Sequence, residues 1–130
     1  MLDLKLRLGV TRDKVSVCRL PADSPIPMWA FESDFFSITK TPDELSIVCS
    51  EKIIPEDIQK ESNYRVIKVE GPLDFSLVGI LAEISTRLAQ RDISLFAISS
   101  YDTDYILVKE SKLEDAILAL TDAGHDIKRQ

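Results

Sequence analysis

Apolar and polar residues alternate with a period of two in several short segments, and this alternation is typical of β-strands. The alternation around Leu4–Leu8 stops at Gly9, and a polar stretch at residues 11–14 separates it from the next apolar segment. We therefore predict a hairpin at the start of the chain. The further predicted strands are residues 35–39, 45–49, 64–69, 93–99, 105–109 and, at the end, 125–129.

Two other segments repeat their apolar residues every three to four positions, which predicts amphipathic helices. The first is predicted over residues 74–91, with Asp74 as its N-cap and a glycine, Gly79, in its first turns. The second begins at a Ser111–Glu114 capping-box pattern and ends before Gly124. Prolines at 21, 25 and 27 exclude a long helix early in the chain and leave room for one short turn at 28–31. Pro55 predicts the first turn of a short helix.

An internal repeat at an offset of sixty residues divides the chain into two halves. Phe36-Ser37-Ile38-Thr39 matches Phe96-Ala97-Ile98-Ser99, and Leu45-Ser46-Ile47-Val48 matches Tyr105-Ile106-Leu107-Val108, which places Glu44 opposite Asp104. The second half has a full helix before its hairpin, whereas the first has a proline-rich crossover. We predict an α+β fold of two imperfectly repeated split βαββαβ units, residues 1–61 and 62–130.

Composition narrows the class of protein. The chain has 130 residues, 45% of them hydrophobic and 29% charged, which suits one ordinary domain or two small units that share a core. A net charge of −6 argues against nucleic acid as a partner. No apolar run approaches the ~20 residues of a membrane-spanning helix. The N-terminus lacks the features of a signal peptide, so we expect a cytoplasmic protein.

Candidate chemistry for catalysis or metal binding is sparse. Cys18 and Cys49 each sit in an apolar alternating segment, which favours buried free thiols over a disulfide or a metal site. The single histidine, His125, has no nucleophile pattern around it. Asp102 and Asp104 share one short turn without an accompanying base. We therefore expect neither an enzyme nor a bound cofactor.

Polar side chains concentrate in the turn at 99–104, between two strongly apolar strands and facing the predicted helix start. The N–H groups of a helix start attract a carboxylate, and Asp104 is suited to an ammonium group. Gly79 allows a ligand or a neighbouring strand to approach the helix closely. A purely structural interpretation stays open. Gly79 would then permit tight packing between helix and sheet, Asp102 and Asp104 would be ordinary turn residues, and Tyr101 would be a surface aromatic.

The segment GPLDFSLVGILAEISTRLAQRDISLFAISSYDTDYILVKESKLEDAILAL closely resembles the ACT domain, specifically its CASTOR-type subgroup in the short stand-alone bacterial form. The helix motif is VGILA at 78–82, and the strand signature is SSYDTDYILV at 99–108. The resemblance implies a ferredoxin-like βαββαβ fold in tandem units with a regulatory, non-catalytic amino-acid site at an ACT interface, between the helix at 74–91 and the turn at 99–104. By matching positions, that site would comprise Val78, Gly79, Ile80, Ser100, Tyr101, Asp102, Thr103 and Asp104.

The same resemblance limits the choice of ligand. Arginine-sensing relatives carry an acidic residue where this chain has Leu77, so specificity for arginine is not implied. We expect a regulatory module that binds a free amino acid and forms a homodimer, with a regulated protein partner not identified by the sequence. The alternative is a protein-interaction subunit whose ligand pocket has decayed.

Overall fold

The computed structural model describes residues 5–70 and 78–130, which form two compact units. The larger unit contains the chain up to Arg12 and from Arg65 onward, and the smaller unit is Asp13–Tyr64. The strands are β1 (Arg7–Leu20), β2 (Ser37–Lys40), β3 (Leu45–Ser50), β4 (Gln59–Val69), β5 (Phe96–Ser99), β6 (Asp104–Lys109) and β7 (Asp126–Arg129). The α-helices are α1 (Ile80–Ala89) and α2 (Leu113–Asp122), and the 3₁₀ segments are Met28–Glu32, Glu51–Ile53 and Glu110–Lys112.

The larger unit has the strand order of a ferredoxin-like fold. Its strands follow the order β5-β6-β4-β1-β7, and α1 and α2 connect them in the sequence β4, α1, β5, β6, α2. Next to β4, the position of the fourth strand of a βαββαβ unit is occupied by Arg7–Val10 of β1. Strand β7 pairs with this segment in parallel. The predicted α+β fold with antiparallel strand pairs is therefore confirmed.

The core of the larger unit lies between its strands and the apolar faces of both helices. In α1 this face comprises Ile80, Ile84 and Leu88, spaced by one helical turn, and all three are buried. In α2 it includes Ala116 and Leu120. Burying each large aliphatic side chain contributes about 1.5–3 kcal/mol, so these faces fix both helices on the strands. No helix in the described ranges is long and apolar enough to cross a bilayer.

The smaller unit repeats the same strand order without α-helices. Its order is β2-β3-β1-β4, but 3₁₀ segments stand where the larger unit has α1 and α2. Pro21, Pro25 and Pro27 account for the first of these replacements, because proline lacks the N–H that a helix interior needs. A smaller buried cluster, formed by Cys18, Ala30, Leu45, Ile47 and Cys49, holds the unit together. The predicted division at 61/62 stays a prediction.

The internal repeat is present, but its offset is 59 rather than sixty. Strands β2 and β3 pair up to Lys40 opposite Leu45, and β5 and β6 pair up to Ser99 opposite Asp104. Both hairpins therefore enclose a four-residue loop, and the residues that follow β3 and β6, Glu51 and Glu110, each begin a 3₁₀ segment. Glu44 thus corresponds to Thr103, and the predicted equivalence with Asp104 is wrong.

Two local predictions in the first half are also wrong. The predicted hairpin at 11–14 does not form, because β1 continues as one strand from Arg7 to Leu20. This polar stretch contains no glycine, asparagine or proline to make a tight turn, and its Arg12, Asp13 and Lys14 are exposed on an extended strand beside β4. Pro55 begins a single turn, closed by the N–H of Ile58 donating to the Pro55 carbonyl over 3.3 Å, and no helix follows.

Helix starts were also misplaced from sequence. Helix α1 begins at Ile80, so Gly79 lies before the helix as its N-cap rather than inside it. The predicted N-cap Asp74 lies outside the described residues. The Ser111–Glu114 capping box is absent, because α2 has Lys112 as its N-cap without a side-chain hydrogen bond. The predicted stop before Gly124 is confirmed, and Gly124 has a φ of 97° that favours glycine.

Candidate functional site

The loop between β5 and β6 is organised by its own polar groups. The Ser100 N–H donates to the Thr103 carbonyl over 2.8 Å, and the Ser100 hydroxyl donates to the same oxygen over 3.0 Å. The Thr103 N–H donates back to the Ser100 hydroxyl over 3.3 Å. At the base of the loop, the Ser99 hydroxyl donates to Oδ1 of Asp104 over 2.6 Å. The loop is therefore a closed turn with a fixed shape.

Thr103 attaches this loop to the end of β4. Its hydroxyl donates to the carbonyl oxygen of Val69, the last residue of β4, over 2.5 Å, and the side chain is buried. Its hydroxyl proton is thus used by the backbone, which gives Thr103 a structural role independent of any ligand.

Asp104 occupies the first position of β6 and is half-buried. One of its oxygens accepts from Ser99, which is the local role expected of a turn aspartate. A carboxylate can accept about four hydrogen bonds, so this contact leaves capacity for a donor from a ligand. Tyr101 and Asp102 lie at the exposed tip of the loop, and Tyr101 is 83% exposed.

The second group of candidate residues lies at the start of α1. Gly79 has φ 86° and ψ 3°, a left-handed conformation in which a side chain is disfavoured, and its carbonyl accepts from the Glu83 N–H over 2.9 Å. Val78, just before it, is 76% exposed, whereas Ile80 is 6% exposed and belongs to the core. Ile80 can therefore contribute to a ligand site only through its backbone.

The eight predicted residues thus form two groups. The first group is the loop residues Ser100, Tyr101, Asp102 and Thr103 together with Asp104, which follows them at the start of β6. The second group is Val78, Gly79 and Ile80 at the start of α1. Their role in binding stays a prediction.

Sequence reasoning missed a buried polar contact that fixes the first turn of α1. His125 is 2% exposed, and its Nδ1 accepts the N–H of Leu6 over 3.0 Å, so the proton of a neutral ring lies on Nε2. Nε2 lies 2.8 Å from Oε2 of Glu83, which also accepts from Arg87 over 3.1 Å. Burial alone would raise the pKa of Glu83, but the hydrogen bonds from His125 and Arg87 lower it.

Only part of this contact could be found from sequence. Glu83 and Arg87 are four residues apart, the spacing at which side chains pair on a helix. His125 lies 42 residues further along the chain, and no local pattern connects it to Glu83.

A pocket of about 560 Å³ in the larger unit was also not foreseen. It is lined by Leu8 and Ile127 together with two cationic and two acidic residues, Arg7, Lys128, Glu70 and Asp126. Side chains of both signs can face the two charges of a zwitterion. None of the eight predicted residues lines this pocket, so it is a second location in which a small ligand could lie.

In the ranges 5–70 and 78–130, no group of three or more His, Cys, Asp or Glu side chains is placed to hold a metal ion. Cys18 and Cys49 are free and buried, as predicted from their apolar segments.

Comparison with known proteins identifies relatives of both parts of the chain. Residues 59–122 match the model of the ACT domain family, and residues 13–57 match a second family model that describes an N-terminal domain. The human protein named cytosolic arginine sensor for mTORC1 subunit 1 is 33% identical in an alignment 94 residues long that covers 66% of this chain. This chain spans only 29% of that protein.

Solved structures show the same fold. A crystal structure of an Agobacterium tumefaciens protein is 34% identical, with a TM-score of 0.92 over 98% of this chain and 95% of that one. The ligand-free regulatory subunit of aspartate kinase from Thermus thermophilus has a TM-score of 0.63 at 13% identity and covers 90% of this chain and 96% of its own, which shows a shared fold. The chain therefore belongs to one family with the Agobacterium protein, and its residues 59–122 match the ACT domain family and have an ACT-like fold.

Proposed function

We propose that this chain is a non-catalytic regulatory module that binds a free amino acid in its larger unit, at the start of α1 and the loop between β5 and β6. The observation that carries the proposal is the anchored loop, in which Thr103 is hydrogen-bonded to Val69 and Ser99 holds the Asp104 carboxylate at the base of the turn. A site built on such a rigid loop needs little ordering when a ligand binds.

The chemistry of the two groups suits the two ends of an amino acid. The N–H groups that precede Glu83 at the start of α1 lack partners within the helix and carry partial positive charge, which favours a carboxylate. Asp104 can accept from the ammonium group. Exposed Val78 and Tyr101 offer apolar surface to a side chain. The ligand is therefore expected to be a small zwitterion rather than a nucleotide.

The names of the relatives support a regulatory role. One is an arginine sensor, and another is a regulatory subunit of aspartate kinase. Arginine itself is not the preferred ligand in our proposal, because Leu77 stands where arginine-sensing relatives have an acidic residue that could pair with a guanidinium.

The first experiment is a thermal-shift screen of the full chain with the twenty amino acids, followed by calorimetric titration of each one that raises the melting temperature. Asp104→Ala should weaken binding by about 1.5–3 kcal/mol, or roughly ten- to a hundredfold, because it removes a charge-assisted hydrogen bond. Glu44→Ala is the matched control, since it removes a carboxylate from the equivalent loop of the smaller unit and should leave affinity unchanged.

A third variant locates the site. If the ligand lies in the charged pocket instead, Glu70→Ala will weaken binding while Asp104→Ala leaves it unchanged. If no amino acid shifts the melting temperature or gives heat on titration, the proposal fails, and the chain is better described as an interaction subunit with a decayed pocket.

We also propose a homodimer. Strands β2 and β5 are the last strands in the order of their units, and an unpaired strand edge recruits another strand. Sedimentation at tens of micromolar should give twice the mass of the 14.6 kDa chain. A monomer mass that does not change with concentration would rule the dimer out.

A further inference from the structure

The two cysteines of the smaller unit lie side by side on neighbouring strands. Strand β1 pairs with β3 so that Ser16 is opposite Cys49 and Cys18 is opposite Ile47. Residues two apart on a strand share one face of a sheet, so Cys18 and Cys49 are diagonal neighbours on the same face. Both belong to one buried cluster.

The surroundings make the two thiols unequal. The hydrogen bond from Cys49 lowers the pKa of Cys18 although burial opposes this, and the positive charge of Lys60 lowers it further. The same hydrogen bond and burial raise the pKa of Cys49. A low-pKa nucleophile beside a thiol of higher pKa is the arrangement that thiol–disulfide exchange requires.

Lys60 is held in place by the backbone. Its ammonium group donates to three carbonyl oxygens, those of Pro55, Glu56 and Ile58, over 3.3, 3.3 and 3.2 Å. The turn begun by Pro55 thus fixes the cation whose charge acts on Cys18.

Cys18 is 1% exposed, and it borders a pocket of the smaller unit. This pocket, of about 180 Å³, is lined by Cys18 and Lys60, together with polar residues that include Arg19 and Glu44. Cys49 is not among its lining residues, so a reagent that enters the pocket meets Cys18 first.

We propose that Cys18 and Cys49 form a reversible dithiol–disulfide pair that exchanges with small disulfides of the glutathione class. The Cys18 thiolate attacks one sulfur of glutathione disulfide, the S–S bond of the reagent breaks, and one glutathione leaves. Cys49 then loses its proton and attacks the Cys18 sulfur, which releases the second glutathione. Two electrons pass from the two cysteines to the reagent, and the two thiol protons end on the two glutathione molecules.

The pair belongs to the smaller unit alone. At the offset of 59, Cys49 corresponds to Val108 of β6, so the hairpin of the larger unit has no thiol at that position. Exchange at this pair therefore acts on the unit without α-helices and leaves the proposed amino-acid site chemically unchanged.

The test is mass spectrometry of the full chain after equilibration in glutathione buffers of increasing oxidising strength, quenched by alkylation. We expect a species that has lost two hydrogens, takes up no alkylating reagent and returns to the dithiol form with excess reduced glutathione. Cys49→Ser should stop at a mixed disulfide on Cys18, and Cys18→Ser should not react. Lys60→Gln should slow the first step several-fold.

A second measurement avoids dependence on the serine variants. In the parent chain, brief alkylation followed by peptide mapping should modify Cys18 before Cys49. Three results would each overturn the proposal. The parent chain could stay reduced in oxidising buffer although its urea-unfolded form reacts. Alternatively, both cysteines could be modified equally, or disulfides could form only between chains.

Discussion

The two hairpins of the chain have separate loops with the same hydrogen-bond pattern. They differ in the side chains that follow the first loop position. In the smaller unit, the Thr41 N–H donates to the Glu44 carbonyl over 3.0 Å, and the Glu44 N–H donates to the Thr41 hydroxyl over 3.2 Å. In the larger unit, Ser100 and Thr103 make the same two bonds. The hydroxyl at the first loop position is therefore a structural requirement of the turn.

The differences begin at the last loop position. Glu44 in one hairpin corresponds to Thr103 in the other, and Leu45, which is buried, corresponds to the half-buried Asp104. In the larger unit a loop hydroxyl, that of Thr103, donates to the first strand of the unit, and a carboxylate lies at the base of the turn. In the smaller unit the bond runs the other way, because the Arg19 side chain of β1 donates to the Asp43 carbonyl of the loop over 3.1 Å. The shared hydrogen bonds show what the repeat needs in order to fold, and the differences show where binding chemistry could have been added.

The sharpest test of the two cores uses one pair of equivalent residues. Ile106 of β6 and Ile47 of β3 are both 0% exposed, and they occupy the same position of the repeat. Replacing a buried isoleucine by alanine costs about 2–5 kcal/mol. We expect Ile106→Ala to cost more than Ile47→Ala, because its cluster includes both α-helices and is the larger one.

Urea unfolding of both variants measures the two free energies. If Ile47→Ala is the more destabilising, then the small cluster of the helix-free unit limits the stability of the chain, and our comparison of the cores is wrong.

The next effect concerns the hydrogen bond from the Thr103 hydroxyl to the Val69 carbonyl in the larger unit. Thr103→Val keeps the shape of the side chain but leaves the Val69 carbonyl without its hydroxyl donor, so we expect a loss of about 1–3 kcal/mol in the free energy of unfolding. Thr103→Ser should recover much of it. Glu44→Ala, at the equivalent position, should stay within about 0.5 kcal/mol of the parent.

Equal effects of Thr103→Val and Glu44→Ala on urea unfolding would mean that this hydrogen bond contributes nothing to stability. The same samples can be titrated with the amino acid found in the screen, which separates loss of loop order from loss of a direct contact.

Periodicity was sufficient to predict most of the strands and the second helix, because their apolar faces are buried in the way the spacing indicates. It fails at 11–14, where a polar stretch predicts a turn but lies on an extended strand. Polar residues on an extended strand look the same in sequence, and only the pairing of β1 with β4 decides between the two. The start of α1 was misplaced because Asp74 is a good N-cap by residue type, whereas the structure uses Gly79 in a left-handed conformation.

The site was predictable only as two local groups. The hydroxyl and carboxylate residues of the loop are contiguous, so their concentration is visible in the sequence. The bond from Thr103 to Val69 spans 34 residues and that from His125 to Glu83 spans 42, and neither leaves a local signal. Matching similar side chains predicts an offset of sixty for the repeat. The observed offset is 59, because the register of each hairpin follows from its loop length.

The smallest effect we predict separates the two units through pH. Glu83, in the first turn of α1, has no counterpart in the smaller unit, which lacks α-helices. Its folded pKa lies below its ordinary value of 4.5, since hydrogen bonds from His125 and Arg87 outweigh burial. Its charge therefore stabilises the fold above that value, and this stability is lost as pH falls through the lowered pKa.

We expect Glu83→Gln to cost about 1 kcal/mol at neutral pH and the difference from the parent to shrink in acid. Glu114→Gln is the control, because its carboxylate pairs with Arg129 at the surface and is 73% exposed, so it should show little difference at any pH. Urea unfolding between neutral and acidic pH measures both, and a difference for Glu83→Gln that stays constant into acid would show that its ionised form is not what holds the start of α1.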